Sequence, residues 1–332
     1  MHPLRVVLFA VLWLWGDSAV HGGYREAEQH NAPDINDAGG MEEEAEGIVH
    51  HVIDGDTLVL SDGRVVRLLG INASELHPHE MEGARAARDM LTSLVEGQPI
   101  SLHFHQRKKD RHGRLLAHVC RTRDHLWIEA ALLEGGNVWV YSFADNVPPL
   151  IETMLSLEGK ARTHKKGVWQ YPSYGVLSAS DTLTDDVIGT FRLVEGVIKE
   201  TALVGDTLYL NFGDDWRTDF TIRINKKAHA LFQKEKLYPL TWKEHAIRVR
   251  GWLRRVNGVL IEVSHPQQIE RLASAYGTLS HHKIGAGGIG EGTPDTPSSK
   301  TSPLEPSPLE PSPLEPSPLE PSPCRASIGL PR

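Results

Sequence analysis

Cysteine is scarce in this chain, and its scarcity argues against two ways of holding a fold together. The 332 residues include 2 Cys, with Cys120 inside an apolar run and Cys324 near the end of the chain. Two cysteines are too few for the disulfide framework of a small secreted domain, or for a zinc site of the usual spacing. Neither device is part of the predicted architecture.

The chain also lacks an excess of positive charge. Lys and Arg number 35 against 43 Asp and Glu, a formal net charge of −8, which excludes a uniformly basic nucleic-acid coat. Much of the acidity lies in an N-terminal segment and in the C-terminal tail. The compact stretch 187–271 has more Lys and Arg than Asp and Glu, which is compatible with nucleic-acid binding.

Length and composition predict two folded domains between unpacked segments, since one domain takes about 100 to 200 residues. A hydrophobic fraction of 40% and 8 Trp exclude a wholly disordered chain, whereas 21 Pro and 30 Gly indicate that part of it is not packed. The predicted divisions are a signal peptide at 1–22, an acidic flexible spacer at 23–46, a first domain at 47–174, a linker at 175–186, a second domain at 187–271 and a disordered tail at 272–332.

The first residues have the features of a secretory signal. A basic start precedes the uncharged apolar run 6–15, and small residues suited to cleavage follow. This run is too short for a bilayer, which takes about 20 residues. We expect export to the periplasm or the medium, with no stable membrane insertion after signal removal. An amphipathic or buried N-terminal helix is the alternative.

The tail carries Pro-Leu-Glu-Pro-Ser four times between Pro303 and Ser322. Such a segment has no face to bury and favours polyproline II, at about 3.1 Å per residue. We expect a stiff stalk or a spacer that contacts the envelope, and a ligand for proline-binding domains is the alternative. Deleting the chain after Thr278 should then leave thermal unfolding nearly unchanged.

The pattern of apolar residues predicts a mainly β fold with helices (α+β). Five short strands with helices inserted and appended indicate an OB-type five-stranded barrel with three helices, and the second compact stretch indicates another OB-like β-barrel. In the first domain the predicted strands are 48–52, 57–60, 64–71, 100–105 and 114–121, and the helices are 80–95, 127–133 and 149–165. In the second the predicted strands are 193–197, 207–212, 220–224, 247–253 and 259–263.

Polar residues of the first domain form an inventory suited to phosphodiester chemistry. Asp54 and Asp56 flank a glycine between two strands, a pattern that alone most often marks a turn. Arg67 lies among apolar residues and needs an anion, which a structural ion pair would also supply. Asn72, Glu75 and Arg114 complete the set, which offers oxygen ligands for a hard cation, a separate base and two arginines for a phosphate.

In these residues the chain resembles the staphylococcal nuclease (thermonuclease) family, from about 47 to 169. The resemblance depends on four ordered motifs: Val52-Ile53-Asp54-Gly55-Asp56-Thr57, Val66-Arg67-Leu68-Leu69-Gly70-Ile71 followed by Glu75, Asp110-Arg111-His112-Gly113-Arg114, and Lys165-Lys166-Gly167-Val168-Trp169. It implies an OB-type barrel and a calcium-dependent endonuclease that acts on DNA and RNA and leaves 3′-phosphate ends.

The resemblance also implies a role for each site residue. Asp56, Asn72 and the backbone carbonyl of Ala73 would bind Ca²⁺ directly, and Asp54 would bind it through water. Glu75 would orient or deprotonate the attacking water, and the catalytic pair Arg67 and Arg114 would neutralise the phosphate.

Two positions depart from the family pattern. Asn72 stands where Asp is usual, and Ser74 follows Ala73 where Pro is common. The amide oxygen carries no charge, so we expect weaker calcium affinity. One alternative is therefore a non-catalytic nucleic-acid or protein binding module of the same fold in the cell envelope. A structural envelope protein is a further alternative, indicated by the signal and the tail.

Histidine pairs suggest a second metal reading. They are His50-His51, His77 with His79, and His103 with His105. No third ligand lies at a sequence spacing typical of a metal site. We predict surface histidines on a half-exposed sheet, with copper or zinc binding as the alternative.

The second domain resembles nucleic-acid-binding OB-fold domains. Cations beside an aromatic side chain suit a single strand, and the predicted contacts are Arg248, Arg250, Trp252 and Arg254. The alternative is that aromatic side chains fill the barrel and the basic residues are solvated.

Overall fold

The computed structural model describes residues 42–74, 83–144, 146–181, 183–272 and Cys324. The predicted signal peptide, most of the spacer, most of the tail and Glu75 lie outside the described residues. Within these ranges, no helix has the length and apolar character needed to cross a bilayer.

The first domain is a closed barrel of short strands. Strand order is β3-β2-β1-β5-β6, and parallel pairing of β3 with β6 closes the ring, which confirms the predicted five-stranded barrel. Short strands β4 and β8 pair with each other beside it. The strands are β1 Glu42–Asp54, β2 Thr57–Leu60, β3 Val65–Leu68, β4 Ile71–Asn72, β5 Pro99–Phe104, β6 Leu115–Arg121, β7 Leu126–Trp127 and β8 Trp139–Val140.

Three helices pack around this barrel, as predicted: α1 Ala84–Val95, α2 Ile128–Glu134 and α3 Pro148–Thr163. In α1 the buried residues recur every three or four positions, so one apolar face covers the barrel core. That face consists of Ala84, Ala87, Leu91 and Val95.

Two predicted boundaries of the first barrel are wrong. The expected strand 64–71 breaks after Leu68, because Gly70 takes a positive φ of 75° that turns the chain into β4. Strand β1 begins at Glu42, inside the predicted spacer, and pairs with β5 from the register Glu42↔Phe104. Backbone pairing at a strand end needs no apolar side chain, so the acidic composition concealed it.

The second domain repeats this topology. Its strand order is β11-β12-β13-β15-β14-β10-β9, and β13 runs parallel to β15 as β3 does to β6. After two residues β10 continues as β11, so one interrupted strand borders both β14 and β12. The elements are β9 Leu177–Ser178, β10 Phe191–Val197, β11 Glu200–Val204, β12 Thr207–Asn211, β13 Thr221–Ile224, α4 Lys226–Lys234, β14 Ala246–Val256, β15 Gly258–Val263 and β16 Ile269–Arg271.

An aromatic cluster joins the two barrels. Trp139 and Tyr174 of the first domain stack with ring centroids 5.4 Å apart, and Phe191 of the second lies 6.4 Å from Trp139. Within the predicted linker 175–186, Leu177 pairs with Val194 in the second sheet. At Leu177 the chain that leaves the first barrel is therefore already paired with the sheet of the second.

A disulfide links Cys120 of β6 to Cys324, across 204 residues of sequence and with a Cα–Cα distance of 5.4 Å. Cys324 is 3% exposed and belongs to the core of the first barrel. The cysteines are therefore part of the architecture, contrary to the prediction. Among the described residues, Cys324 is the one that lies beyond Leu272.

Candidate active site

The acidic turn between β1 and β2 is set by the glycine at its centre. A Cβ atom on Gly55 would lie 2.5 Å from the Cβ of Ala87 and 2.6 Å from that of Ala73. Such distances are too short for any side chain, so glycine alone allows the turn to approach both segments. The approach brings Asp54 and Asp56 against the stretch that contains Asn72.

Asp56 is held by donors from three sides. Its Oδ1 accepts from Thr57 Oγ1 at 3.0 Å and lies 2.9 Å from Arg67 Nε, and its Oδ2 accepts from the Ala73 N–H at 2.8 Å. The side chain is thus buried with fixed orientation. These contacts connect the turn to both β3 and the segment after β4.

Asp54 shows the cost of two neighbouring carboxylates. Burial, and then the negative charge of Asp56, raise its pKa to about 6. A bound cation would relieve both effects. The oxygen atoms offered by Asp54, Asp56 and Asn72 are those that hard divalent cations prefer, so the residues fit such an ion. In the described ranges no cluster of three or more His, Cys, Asp or Glu side chains forms a metal site, and Asn72 supplies its oxygen as an amide.

Arg67 connects the acidic turn with β4. Its Nη1 donates to the carbonyls of Leu68 at 2.6 Å and Ile71 at 2.9 Å, and its Nη2 lies 3.4 Å from Asn72 Oδ1. Neighbouring Val66 and Leu68 point into the core, so alternation along the strand places Arg67 on the outer face of the barrel.

Arg114 lies on the same outer face. The parallel register pairs Val66 with Leu115, so the residue before Leu115 lies beside Val65 and shares the side of the sheet that Arg67 occupies. Its Nε donates to Asp110 Oδ2 at 2.7 Å. The Arg114 side chain is 36% exposed. The outer face of the barrel therefore carries two guanidinium groups, of which that of Arg67 contacts Asp56 of the acidic turn.

The remaining predicted site positions are only partly described. Ala73 is buried with its N–H on Asp56, and Ser74 donates from Oγ to the Tyr174 hydroxyl at 3.4 Å. Glu75 lies outside the described residues, so its role stays a prediction.

The prediction of surface histidines is wrong for β5. His103 is 4% exposed and lies opposite the buried His118 of β6, with its Nε2 3.0 Å from Ser101 Oγ. Burial, and then the charge of His118, lower the pKa of His103 to about 4. Helix α2 packs on β6, where its buried Glu129 lies 3.6 Å from His118 Nδ1 and accepts from the Val119 N–H.

The second-domain cations are placed differently from the prediction. Arg250 is 1% exposed and bonded to Glu158 and Glu270, and Arg248 is bonded to Glu195 and Glu270. Their burial leaves neither free to meet a nucleic-acid strand.

Trp252 and Arg254 instead line a cleft of about 120 Å³ between the barrels, opposite Tyr141 and Phe143 of the first domain. Trp252 also packs on Phe191, with ring centroids 6.0 Å apart. Trp252 is half-buried and the Arg254 side chain is 62% exposed, so both are accessible to a nucleic-acid strand.

Glu158 is a residue that the sequence reasoning missed. It lies four positions after Met154 and seven after Ile151, on the apolar face of α3, and it is fully buried. A carboxylate on a buried helix face needs a cation. The spacing of Glu158 from the apolar residues of α3 therefore indicates a buried ion pair.

Comparisons with known proteins agree with the motifs. A family model described as a staphylococcal nuclease homologue matches residues 65–171. Two proteins named "Uncharacterized endonuclease", from Escherichia coli O157:H7 and Escherichia coli, are each 33% identical over 126 residues, which cover 37% of this chain and 76% of the relative. The matched family segment includes Arg67, Asn72 and Arg114 and begins after the acidic turn.

Proposed function

The chain belongs to the staphylococcal nuclease family, and from that premise we propose that it is a calcium-dependent endonuclease that hydrolyses DNA and RNA. The single observation that carries the proposal is the outer face of the first barrel. There Asp56 and Asn72 present oxygen atoms beside Arg67, and Arg114 shares the face.

Calcium is the proposed cofactor, held by Asp56, Asn72 and the Ala73 carbonyl, with Asp54 acting through water. When bound, the ion would supply a positive charge that polarises the phosphate and its attacking water. Oxygen ligands favour Ca²⁺ over softer metals, and the neutral Asn72 lowers the ligand charge.

The protein's own groups divide the work between a base and two phosphate partners. Glu75 takes a proton from the attacking water while the oxygen of that water bonds to phosphorus. Arg67 and Arg114 neutralise the charge that grows on the phosphate oxygens. The bond from phosphorus to the 5′ oxygen breaks, that oxygen takes up a proton, and the products are a 3′-phosphate end and a 5′-hydroxyl end.

Export is part of the proposal. The signal-like start supports it, and so does the disulfide between Cys120 and Cys324, since disulfides persist in oxidising compartments. A periplasmic or secreted enzyme would also meet calcium at levels that a weaker site requires.

A non-catalytic binding module is the second candidate, and one observation favours it. Arg67 Nε already provides a cation 2.9 Å from Asp56 Oδ1, while Asn72 contributes no charge. A protein of this kind would bind nucleic acid or protein without a metal.

Incubation of the purified protein with end-labelled single-stranded DNA, with Ca²⁺ or with a chelator, separates the two candidates. The proposal predicts cleavage with Ca²⁺ alone and fragments that carry 3′-phosphate. Binding without cleavage under both conditions, in the wild type and in Asn72→Asp, would establish the binding module instead.

A further inference from the structure

An arginine of the second domain is buried against the last helix of the first. Arg250 lies in β14, and its two Nη atoms bind the two carboxylate oxygens of Glu158 in α3 at 2.9 Å each. Its Nη2 also binds Glu270 Oε1 at 2.5 Å. Arg250 is 1% exposed and Glu158 is fully buried, so water does not screen this pair.

Arg250 is charged in spite of its burial. Burial alone would lower the pKa of Arg250, but Glu158 and Glu270 outweigh it and raise that pKa. A bidentate guanidinium also fixes the orientation of the carboxylate that it binds. Glu158 is therefore held in one geometry by a residue of the other domain.

The same two side chains hold the backbone of β8. Glu158 Oε1 accepts from the Val140 N–H at 2.8 Å, and Arg250 Nη1 donates to the Val140 carbonyl at 3.2 Å. Both polar backbone groups of Val140 are thus bound by this ion pair. Strand β8 has two residues, and a two-stranded pair of that length is unstable without outside support.

Strand β8 in turn carries β4, which belongs to the candidate site. The register pairs Val140 with Ile71 and Trp139 with Asn72. Ile71 accepts from Arg67 Nη1 at 2.9 Å, and Asn72 Oδ1 lies 3.4 Å from Arg67 Nη2. A continuous chain of contacts therefore leads from Arg250 to the phosphate-binding arginine.

We infer that Arg250 is a positioning residue of the nuclease site, through which the second barrel fixes β8 and β4 and so orients Arg67 and Asn72. This inference rests on the proposed function. It gives the second domain a part in catalysis that requires no contact with the substrate.

Arg248 provides a matched control two positions away on the same strand. Its guanidinium is also largely buried, and it binds Glu195 and Glu270, both of the second domain. Substitution of Arg248 removes a similar pair of ionic contacts, and neither of these contacts is to α3 or β8. The two variants, Arg250→Met and Arg248→Met, therefore differ in the link to the site.

Two measurements on the full chain test the inference: amide hydrogen exchange, and kcat and KM for single-stranded DNA. Arg250→Met should speed exchange at the amides of Val140 and Tyr141 by about tenfold or more relative to Arg248→Met, since the Tyr141 N–H bonds the Gly70 carbonyl across the same strand pair. It should lower kcat by about tenfold with KM changed by less than about threefold, because misplaced groups act on turnover.

A double variant covers the case in which Arg250→Met does not fold. Arg250→Met with Glu158→Leu removes both buried charges, so folding should return, but Val140 still lacks its partners and kcat should remain low. Full recovery of kcat in the double variant would overturn the inference, and so would equal kcat in the two single variants. If the wild type cleaves nothing while Arg250→Met still speeds exchange at Val140, the proposed nuclease function fails and the coupling between the domains stands.

Discussion

At the scale of single residues, the site combines features that the sequence reveals with one that it conceals. Arg67 has an anionic partner, as its apolar neighbours predict, and that partner is Asp56. The burial of His103 was not predictable from alternation in β5, because the residue that faces it, His118, comes from β6, on which α2 packs. Residue types thus predict chemistry better than they predict which face another element will cover.

Asn72, the neutral member of the proposed ligand set, provides a test of the proposed metal site. Asn72→Asp adds a negative charge beside the carboxylates, so the Ca²⁺ concentration for half-maximal cleavage should fall by about tenfold. Calcium titration of the cleavage rate measures this. Asn211→Asp adds the same charge in β12 of the second domain and should leave the titration unchanged. An unaltered calcium dependence in Asn72→Asp would show that this side chain does not bind the ion.

The buried His103 should make stability depend on pH. Its pKa falls from 6.5 to about 4 on folding, so the unfolded chain binds more protons between these values. Its contribution is complete above pH 6.5 and is lost as the pH falls toward 4, by about 3 kcal/mol at pH 4.

Urea denaturation from pH 7 to pH 4 measures this contribution. The loss of unfolding free energy should be smaller in His103→Gln than in the wild type. The exposed His50 supplies a control, and His50→Gln should follow the wild-type profile. Parallel profiles for wild type and His103→Gln would contradict the assigned protonation state.

At the scale of elements, the sequence predicts most strands of both barrels within a few residues, because short apolar runs and hairpin turns mark them locally, but it misses β11 and the first six residues of β1. Helix α4 escaped prediction, although Asn225 caps it by accepting from the Ala228 N–H at 3.0 Å. The two-residue strands β4 and β8 have no period of their own. They exist through pairing and through contacts with α3, which is information that a local pattern does not contain.

The segment that follows α3 packs closely on the segment that follows α2, and this contact depends on glycine. A Cβ atom on Gly167 would lie 2.4 Å from the Gly136 carbonyl oxygen, and φ at Gly167 is +51°. Gly167→Ala should lower the free energy of unfolding by about 2 kcal/mol more than Gly63→Ala. Gly63 has φ +86° and open space around it, so it isolates the backbone term. Equal urea midpoints for the two variants would show that this contact yields without cost.

At the scale of the whole molecule, two barrels of one topology share an aromatic and ionic interface, and the disulfide returns Cys324 to the first core. Neither contact was predictable from local pattern, since each joins segments that only folding brings together. A pair of cysteines in a chain with a signal-like start was the available hint for the disulfide.

The disulfide changes what is expected of the C-terminal segment. Cys324→Ser should lower Tm by about 5–10 °C under oxidising conditions, because the cross-link contributes about 2–4 kcal/mol. Calorimetry of both proteins with and without a reductant measures this. The reductant should lower Tm of the wild type and leave Cys324→Ser unchanged. A Tm that responds to neither change would restore the expectation that this segment adds nothing to stability.

That the outer face of the first barrel cleaves phosphodiester bonds is tested most directly by comparing two arginines in matching turns. Arg114 binds Asp110 through Nε at 2.7 Å, and Arg64 binds Asp62 in the same way at 2.6 Å, but Arg64 lies in the hairpin turn between β2 and β3, where its Nη2 donates to the Glu46 carbonyl. The measurement is the turnover of single-stranded DNA with saturating Ca²⁺. Arg114→Met should lose about 10²-fold in kcat, and Arg64→Met should stay within about twofold of the wild type. Equal turnover in the two variants would contradict the assignment of this face as the active site.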